Sequence, residues 1–277
     1  MTQSLQGHLA KLVAVKPDSG FIEYSLPLDD QLVPLNPLLG RTVKLTYGGV
    51  IHCRHCGRVS KKSFNQGHCY PCFRKLASCD SCIMSPEKCH FDQGTCRDPE
   101  WGEQFCMTDH FVYLANSSGV KVGITRGSQI PTRWIDQGAS QALPIMRVST
   151  RYQSGLAEDA FRKHVADRTN WRAMLKGNAE ALDLSVIRDQ LFNLCAEDLD
   201  SLVGLFGVQA IRPLDDADSV EMDYPVREFP TKVTSFNLDK NPVAEGILMG
   251  IKGQYLILDT GVINIRKYTA YQVVFTF

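Results

Sequence analysis

Two Cys-x-x-Cys pairs, Cys53-Arg54-His55-Cys56 and Cys69-Tyr70-Pro71-Cys72, stand twelve residues apart in the first third of the chain. A two-residue gap lets both sulfurs of a pair turn the same way, so two pairs offer four thiolates to one tetrahedral Zn²⁺ at about 2.3 Å. This predicts a zinc-ribbon-like module, with a redox pair as the lesser alternative. A second group follows: Cys79, Cys82, Cys89, Cys96 and Cys106, with His90 and His110 nearby. Five cysteines compete there for four positions. Cys79/Cys82/Cys89/Cys96 is one set and Cys82/Cys89/Cys96/Cys106 the other, and the residues alone leave the choice open. Zinc held by four thiolates is structural, because no position stays open for substrate, and it folds a segment poor in apolar core. With this many cysteines, His52, His55, His68 and His90 read as neighbours of ligands rather than ligands.

Residues 1–7 carry neither a basic stretch nor an apolar one, so no export leader is read, and metal binding is favoured over disulfides for the ten cysteines. No run approaches the roughly 18 apolar residues of a spanning helix. A cytoplasmic location without a membrane partner is the expectation.

Lys+Arg and Asp+Glu both number 30, but residues 53–176 hold 18 basic and 11 acidic side chains, whereas residues 177–277 hold 8 and 15. A basic middle suits phosphates. Arg58, Lys61 and Lys62 on the ribbon and Arg126 beyond it are the expected contacts to nucleic acid, DNA or RNA. The acidic run Asp215-Asp216-Ala217-Asp218 lacks a calcium-loop pattern and reads as a solvated loop. Cys195, beside Leu191, Phe192 and Leu194, reads as a small buried hydrophobe.

The expected organisation is an N-terminal β segment over 1–50, a cysteine-rich module over 51–110, an α+β unit over 111–200 and a C-terminal β segment over 201–277. Strands are predicted around His8–Val15, Phe21–Leu26 and Thr42–Tyr47. Toward the other end they are predicted at Val233–Leu238, Ala244–Gly250, Tyr255–Leu258, Val262–Ile265 and Tyr271–Phe277. Short β segments need partners, so the two ends can pack together as one discontinuous β domain. Lys252, Tyr255, Arg266, Lys267, Tyr268 and Tyr271 are weighed as a stacking and phosphate surface, with core packing the favoured reading.

Within 111–200, Phe111–Leu114 and Val120–Thr125 flank an Asn/Ser/Gly cluster and predict a β-hairpin. A short helix carrying Arg133 follows, then a strand over Leu143–Val148 weakened by Pro144. Apolar residues at helical spacing over Leu156–Val165 place Glu158 at the edge of a packed face. A further helix is expected over Ala179–Cys195.

Hairpin, arginine-bearing helix, strand and glutamate-bearing helix, in that order, resemble the GIY-YIG nuclease superfamily. Phe111-Val112-Tyr113 would be its first triplet and Lys121-Val122-Gly123 its second, followed by Arg133, Glu158 and, twelve residues on, Asn170. The resemblance covers about a quarter of the chain. It departs from the superfamily pattern at Phe111, in place of glycine, and at Lys121, in place of tyrosine. A cysteine-rich module ahead of such a domain also resembles an uncharacterised bacterial family, whose pattern favours Cys82, Cys89, Cys96 and Cys106 as the second zinc set, with Cys79 the rival ligand.

The resemblance implies phosphodiester hydrolysis with one divalent ion. Glu158 would hold Mg²⁺ or Mn²⁺, Tyr113 would position or deprotonate the attacking water, and Arg133 would offset charge on the phosphate. Lys121 would add positive charge, and Asn170 would complete the set. The expected function is therefore a zinc-containing, nucleic-acid-binding protein, and an endonuclease if the catalytic set is intact. The alternatives are a binding module with a degenerate nuclease site and a protein-interaction adaptor with a protein partner.

Overall fold

Period-two patterning in the chain resolves into three antiparallel sheets, seen here in a computed structural model that describes residues 2–277. The strands are β1 (Ser4–His8), β2 (Val13–Val15), β3 (Glu23–Leu28), β4 (Gln31–Pro34), β5 (Thr42–Ile51), β6 (His110–Asn116) and β7 (Val120–Arg126). They continue with β8 (Gln141–Val148), β9 (Ile211–Pro213), β10 (Val220–Glu221), β11 (Val243–Lys252), β12 (Tyr255–Leu258), β13 (Gly261–Asn264) and β14 (Tyr271–Thr276). The helices are α1 (Tyr70–Lys75), α2 (Pro99–Phe105), α3 (Thr132–Asp136), α4 (Arg151–Phe161), α5 (Trp171–Met174), α6 (Leu184–Leu194) and α7 (Ala196–Phe206). The protein is thus of the α+β class.

The two ends of the chain pair directly: the largest sheet has the order β1-β14-β5-β11-β12-β13. Its alternation is clean in β14, where Tyr271, Val273 and Phe275 are buried and the residues between them are not. A three-stranded sheet β2-β3-β4 packs over the same core through Leu12, Tyr24, Leu26 and Val33. The expected strand Val233–Leu238 does not form; only Ser235 bridges Val262.

The middle sheet runs β10-β8-β6-β7, with β9 also on β8, so the stretch after α7 returns to this sheet before the chain rejoins the first. Strand β6 is buried almost throughout because it divides two cores. Val112 and Leu114 face a helical core with Phe161 and Leu191, whereas Tyr113 and Ala115 face the core shared with the large sheet. Pro144 stays within β8 because the pairing with β6 is irregular there: Val112 meets Met146 and Tyr113 meets Pro144.

Helix α4 begins earlier and ends earlier than the predicted Leu156–Val165. A capping box at Thr150 and Gln153 starts it, and it stops at Phe161. Its buried side includes Gln153, Ser154 and Gly155, because the turn Pro86–Lys88 of the cysteine-rich module lies on it; a Cβ at Gly155 would run into Pro86 and Glu87. Among the described residues no helix is long and apolar enough to cross a membrane.

Candidate functional site

Cys53 follows the end of β5, Cys69 caps α1 and Cys72 lies within it, so strand and helix bring the two pairs face to face. The sulfurs of Cys53, Cys56, Cys69 and Cys72 all lie within 4.8 Å of one another, and those of Cys56 and Cys69 are 3.7 Å apart. Four zinc–sulfur bonds of 2.3 Å at tetrahedral angles would set sulfurs about 3.8 Å apart. The cluster can therefore hold a metal ion such as zinc. Burial pushes the Cys53 thiol up, yet the backbone N–H groups of Cys69, Cys56 and His55 outweigh it and bring the thiol down to about 6. Burial and the neighbouring thiols push Cys72 up to about 12. A cation among the sulfurs would relieve that mutual repulsion.

The second group is looser. Cys82, Cys89, Cys96 and Cys106 line one small cavity together with Asp80, His90 and Trp101. Cys79 lies elsewhere, its sulfur 3.2 Å from Asn65 Nδ2 and 3.6 Å from His68 Nδ1. Among the described residues the ligand atoms that close to within 4.8 Å here are those of Asp80, Cys82 and His90. The Asp80 carboxylate is already taken, accepting from Arg97 at 2.7 Å and from the Ser81 N–H at 2.6 Å. Burial pushes Cys82 up to about 11.

The catalytic candidates fall around and behind a cleft of about 620 Å³ between the middle sheet, the ribbon and the large sheet. Tyr113 on β6 faces Gly123 on β7, and a Cβ there would come 2.7 Å from the tyrosine hydroxyl and Cζ. Glycine is what lets the ring lie across the neighbouring strand. The hydroxyl donates to Gln137 Oε1 at 3.0 Å, beside Arg133, and the residue is fully buried, which pushes its pKa up. Tyr113 is therefore closed off from the cleft, contrary to the expectation that it meets the attacking water.

Lys121 is 4% exposed, behind the cleft floor, and burial together with the nearby Arg133 charge lowers its pKa to about 8. Glu158 does line the cleft, half-buried, and burial raises its pKa to about 7 against the opposing charge of Arg162. Arg162 makes its ion pairs with Asp159 and Asp167 instead.

Asn170 is not brought in. Its side chain caps α5 by accepting from the Ala173 N–H, and its own N–H bonds Ser118 Oγ. The cause is the early end of α4. The chain beyond it lies alongside β7, with the Val122 N–H on Ala166 O at 2.8 Å, which leaves Asp167 on the cleft.

Arg126 and Arg133 line the cleft, as do Arg54 from the ribbon, Arg151 from the first turn of α4, Arg266 from the turn between β13 and β14, and Lys11. Three carboxylates, Asp136, Glu158 and Asp167, oppose these six cations. Asp136 pairs with Lys11 at 2.8 Å and approaches Arg266 at 4.0 Å; among the described residues the other four arginines have no carboxylate in ion-pair range. Arg126 instead lies over the Phe105 ring, and Arg151 donates to Ile83 O while its Nε is buried without a partner.

Arg54 and Arg266 were visible as basic residues, but nothing local marks them, Lys11 or Arg151 as neighbours, since their meeting depends on three sheets. Arg58, Lys61 and Lys62 lie apart, in a shallow groove on the ribbon.

The sequence model of a family described as "Protein of unknown function (DUF2797)" matches residues 40–273. The chain belongs to that family. The matched span takes in both cysteine groups and every cleft cation named above except Lys11. No curated protein and no solved structure matches the chain.

Proposed function

We propose that this member of the family is a zinc-containing nucleic-acid-binding protein whose cleft hydrolyses phosphodiester bonds with a divalent ion, in the manner of the GIY-YIG nucleases. One observation carries the reading: in a chain of zero formal charge, five arginines converge on one cleft around a half-buried glutamate with no ion-pair partner among the described residues. A cleft with excess unpaired guanidinium groups attracts phosphate and binds it through paired N–H donors. Hairpin β6–β7, helix α3, strand β8 back beside β6, and α4 across the face also support the likeness to that superfamily.

Glu158 would hold Mg²⁺ or Mn²⁺, a hard ion suited to a carboxylate that keeps open positions for water and phosphate. When bound, the ion supplies charge that polarises a phosphate oxygen. Arg133 and Arg126 hold the phosphate and offset its developing charge. Lys121 adds a cation beneath them. Tyr113, closed off from water, acts as a positioning residue: its hydroxyl and Gln137 fix the floor on which Arg133 stands. The four-cysteine cluster of the ribbon is assigned zinc, and the cavity of Cys82, Cys89, Cys96 and Cys106 a second.

A second reading, binding without cleavage, is favoured by the buried Tyr113 hydroxyl and by lysine at position 121. Incubating zinc-loaded protein and Glu158→Ala with labelled single-stranded, duplex and branched DNA and RNA, with Mg²⁺ or Mn²⁺, decides between them. The nuclease reading expects ion-dependent turnover that falls on the order of 100-fold or more in Glu158→Ala, with zinc content and binding unchanged. Absent turnover, or equal turnover in both proteins, leaves the binding module.

A further inference from the structure

The ribbon carries a second surface, facing a groove of about 300 Å³ lined by Arg58, Val59, Lys61, Lys62, Phe64 and Tyr70. Tyr70, the residue between Cys69 and Pro71, is 51% exposed, and Val59 across from it 66%. Tyr70 does not float free. Phe64 packs behind it at 5.5 Å between ring centroids and Phe73 at 6.4 Å, while Phe64 and Phe73 stack on each other at 5.7 Å. The result is a braced ring with an open part. Arg58, Lys61 and Lys62 are all exposed, and among the described residues none of them makes an ion pair. What sets this face apart is the combination: exposed Val59 and Tyr70 line the same groove as the three cations.

We infer that this groove is a single-strand site, in which one unpaired base stacks on Tyr70 while the adjoining phosphates meet Arg58, Lys61 and Lys62. A braced aromatic ring beside unpaired cations is the combination that holds single-stranded nucleic acid with little regard to sequence. Stacking on a protein ring needs a base whose face is free, and a duplex has none to offer along its length. A groove of this volume accepts a group the size of one base with its sugar. The inference rests on the nucleic-acid reading of the cleft and narrows its substrate to strands with an unpaired stretch. Among the described residues the cleft is lined by no tyrosine, phenylalanine or tryptophan, and its guanidinium groups suit backbone phosphates.

The test is fluorescence anisotropy of zinc-loaded protein with a labelled 15-nucleotide single strand and the same sequence as a duplex, together with photocrosslinking of a bromouracil-substituted strand. The single strand is expected to bind more tightly, and Tyr70→Ala to weaken it by ~5- to ~150-fold with Tyr70→Phe near wild type. Lys61→Gln/Lys62→Gln should flatten the salt dependence by about one to two ions. Crosslinks on wild-type protein, which need no variant to fold, should map to the peptide holding residues 58–70. Equal affinity for duplex, or crosslinks only outside that peptide, would overturn the inference. Tyr70-dependent binding without turnover sinks the nuclease reading and keeps this one; turnover with binding indifferent to Tyr70 does the reverse.

Discussion

Lys252 is fully buried in β11, its ammonium donating to Gly177 O and Asn178 Oδ1 at 2.9 Å each and lying over the rings of Tyr224 and Phe229. It is not part of a phosphate surface, and neither are Tyr268 and Tyr271, which are buried in the core. Burial lowers the Lys252 pKa to about 8. In the unfolded chain the group titrates near 10.4. Folding therefore disfavours its charged form: the cost is fully present below the folded value and is relieved as pH rises from about 8 toward 10.4. Urea unfolding of wild type should thus gain about 3 kcal/mol relative to Lys252→Met between pH 7 and pH 10.5, less whatever carbonyl contacts the neutral amine gives up. A pH-independent difference between the two proteins would mean that the ammonium is solvated. The sequence showed a lysine among tyrosines on a β segment. What it could not show is that the loop at Gly177 and Asn178, some 75 residues earlier, closes over the charge.

At the scale of elements, the paired strands and the cysteine knuckles were legible because their signals are local: turn residues between β-branched runs, and thiols two residues apart. Helix α4 was legible only in part. Its capping box, Thr150 with Gln153, is a readable start, but the first turn carries Arg151, Gln153 and Ser154 where an amphipathic helix would show apolar residues. Gln153 and Ser154 are buried on the side where the turn Pro86–Lys88 lies, so the contact that selects them is more than sixty residues away in sequence. The placement of Asn170 failed for the same reason, since a helix that stops at Phe161 changes which residue reaches the cleft. Thr150 Oγ1 accepts from the Gln153 N–H, and Gln153 Oε1 accepts from the N–H groups of Ser149 and Thr150. Thr150→Ala should cost about 1 kcal/mol of unfolding free energy, seen as a fall in Tm of roughly 2–4 °C. No change would mean that the packed turn alone starts the helix. The same variant reports on the cleft, because Arg151 sits in the turn that the cap secures.

Over the whole molecule, the cleft exists only because three parts of the chain meet, and Asp136 on α3 ties them. It accepts from Lys11 at 2.8 Å and from Gln254 Nε2 at 2.8 Å, with Arg266 at 4.0 Å. The ribbon wall is tied to the turn between β13 and β14, where Arg266 Nε donates to Gln66 Oε1 at 2.6 Å and Ser63 Oγ donates to Thr269 O at 2.9 Å, but it has little apolar core of its own. Among the described residues its buried cluster is Cys53, Cys69 and Cys72 with Leu76 packed against them, whereas the two large cores hold dozens of apolar side chains. So small a cluster cannot repay the conformational entropy of the segment around it. If the four thiolates bind a metal, its binding free energy is the folding free energy of the ribbon. Removing the metal with a strong chelator, or with Cys69→Ser, should therefore open residues 54–68 to protease while leaving the sheets resistant. Mass spectrometry of timed digests reads this directly: early cuts at Arg54, Arg58, Lys61 and Lys62 in the stripped protein, none in the loaded one. Loss of the ribbon would also withdraw Arg54 from the cleft and Tyr70 from its groove, so the nucleic-acid binding proposed above should fall in step with those cuts. Equal protection of this stretch with and without metal would mean that the ribbon is held by the turn at Gly67, where Arg54 packs, and by its contacts to the large sheet, and that the thiolates are not its organising core.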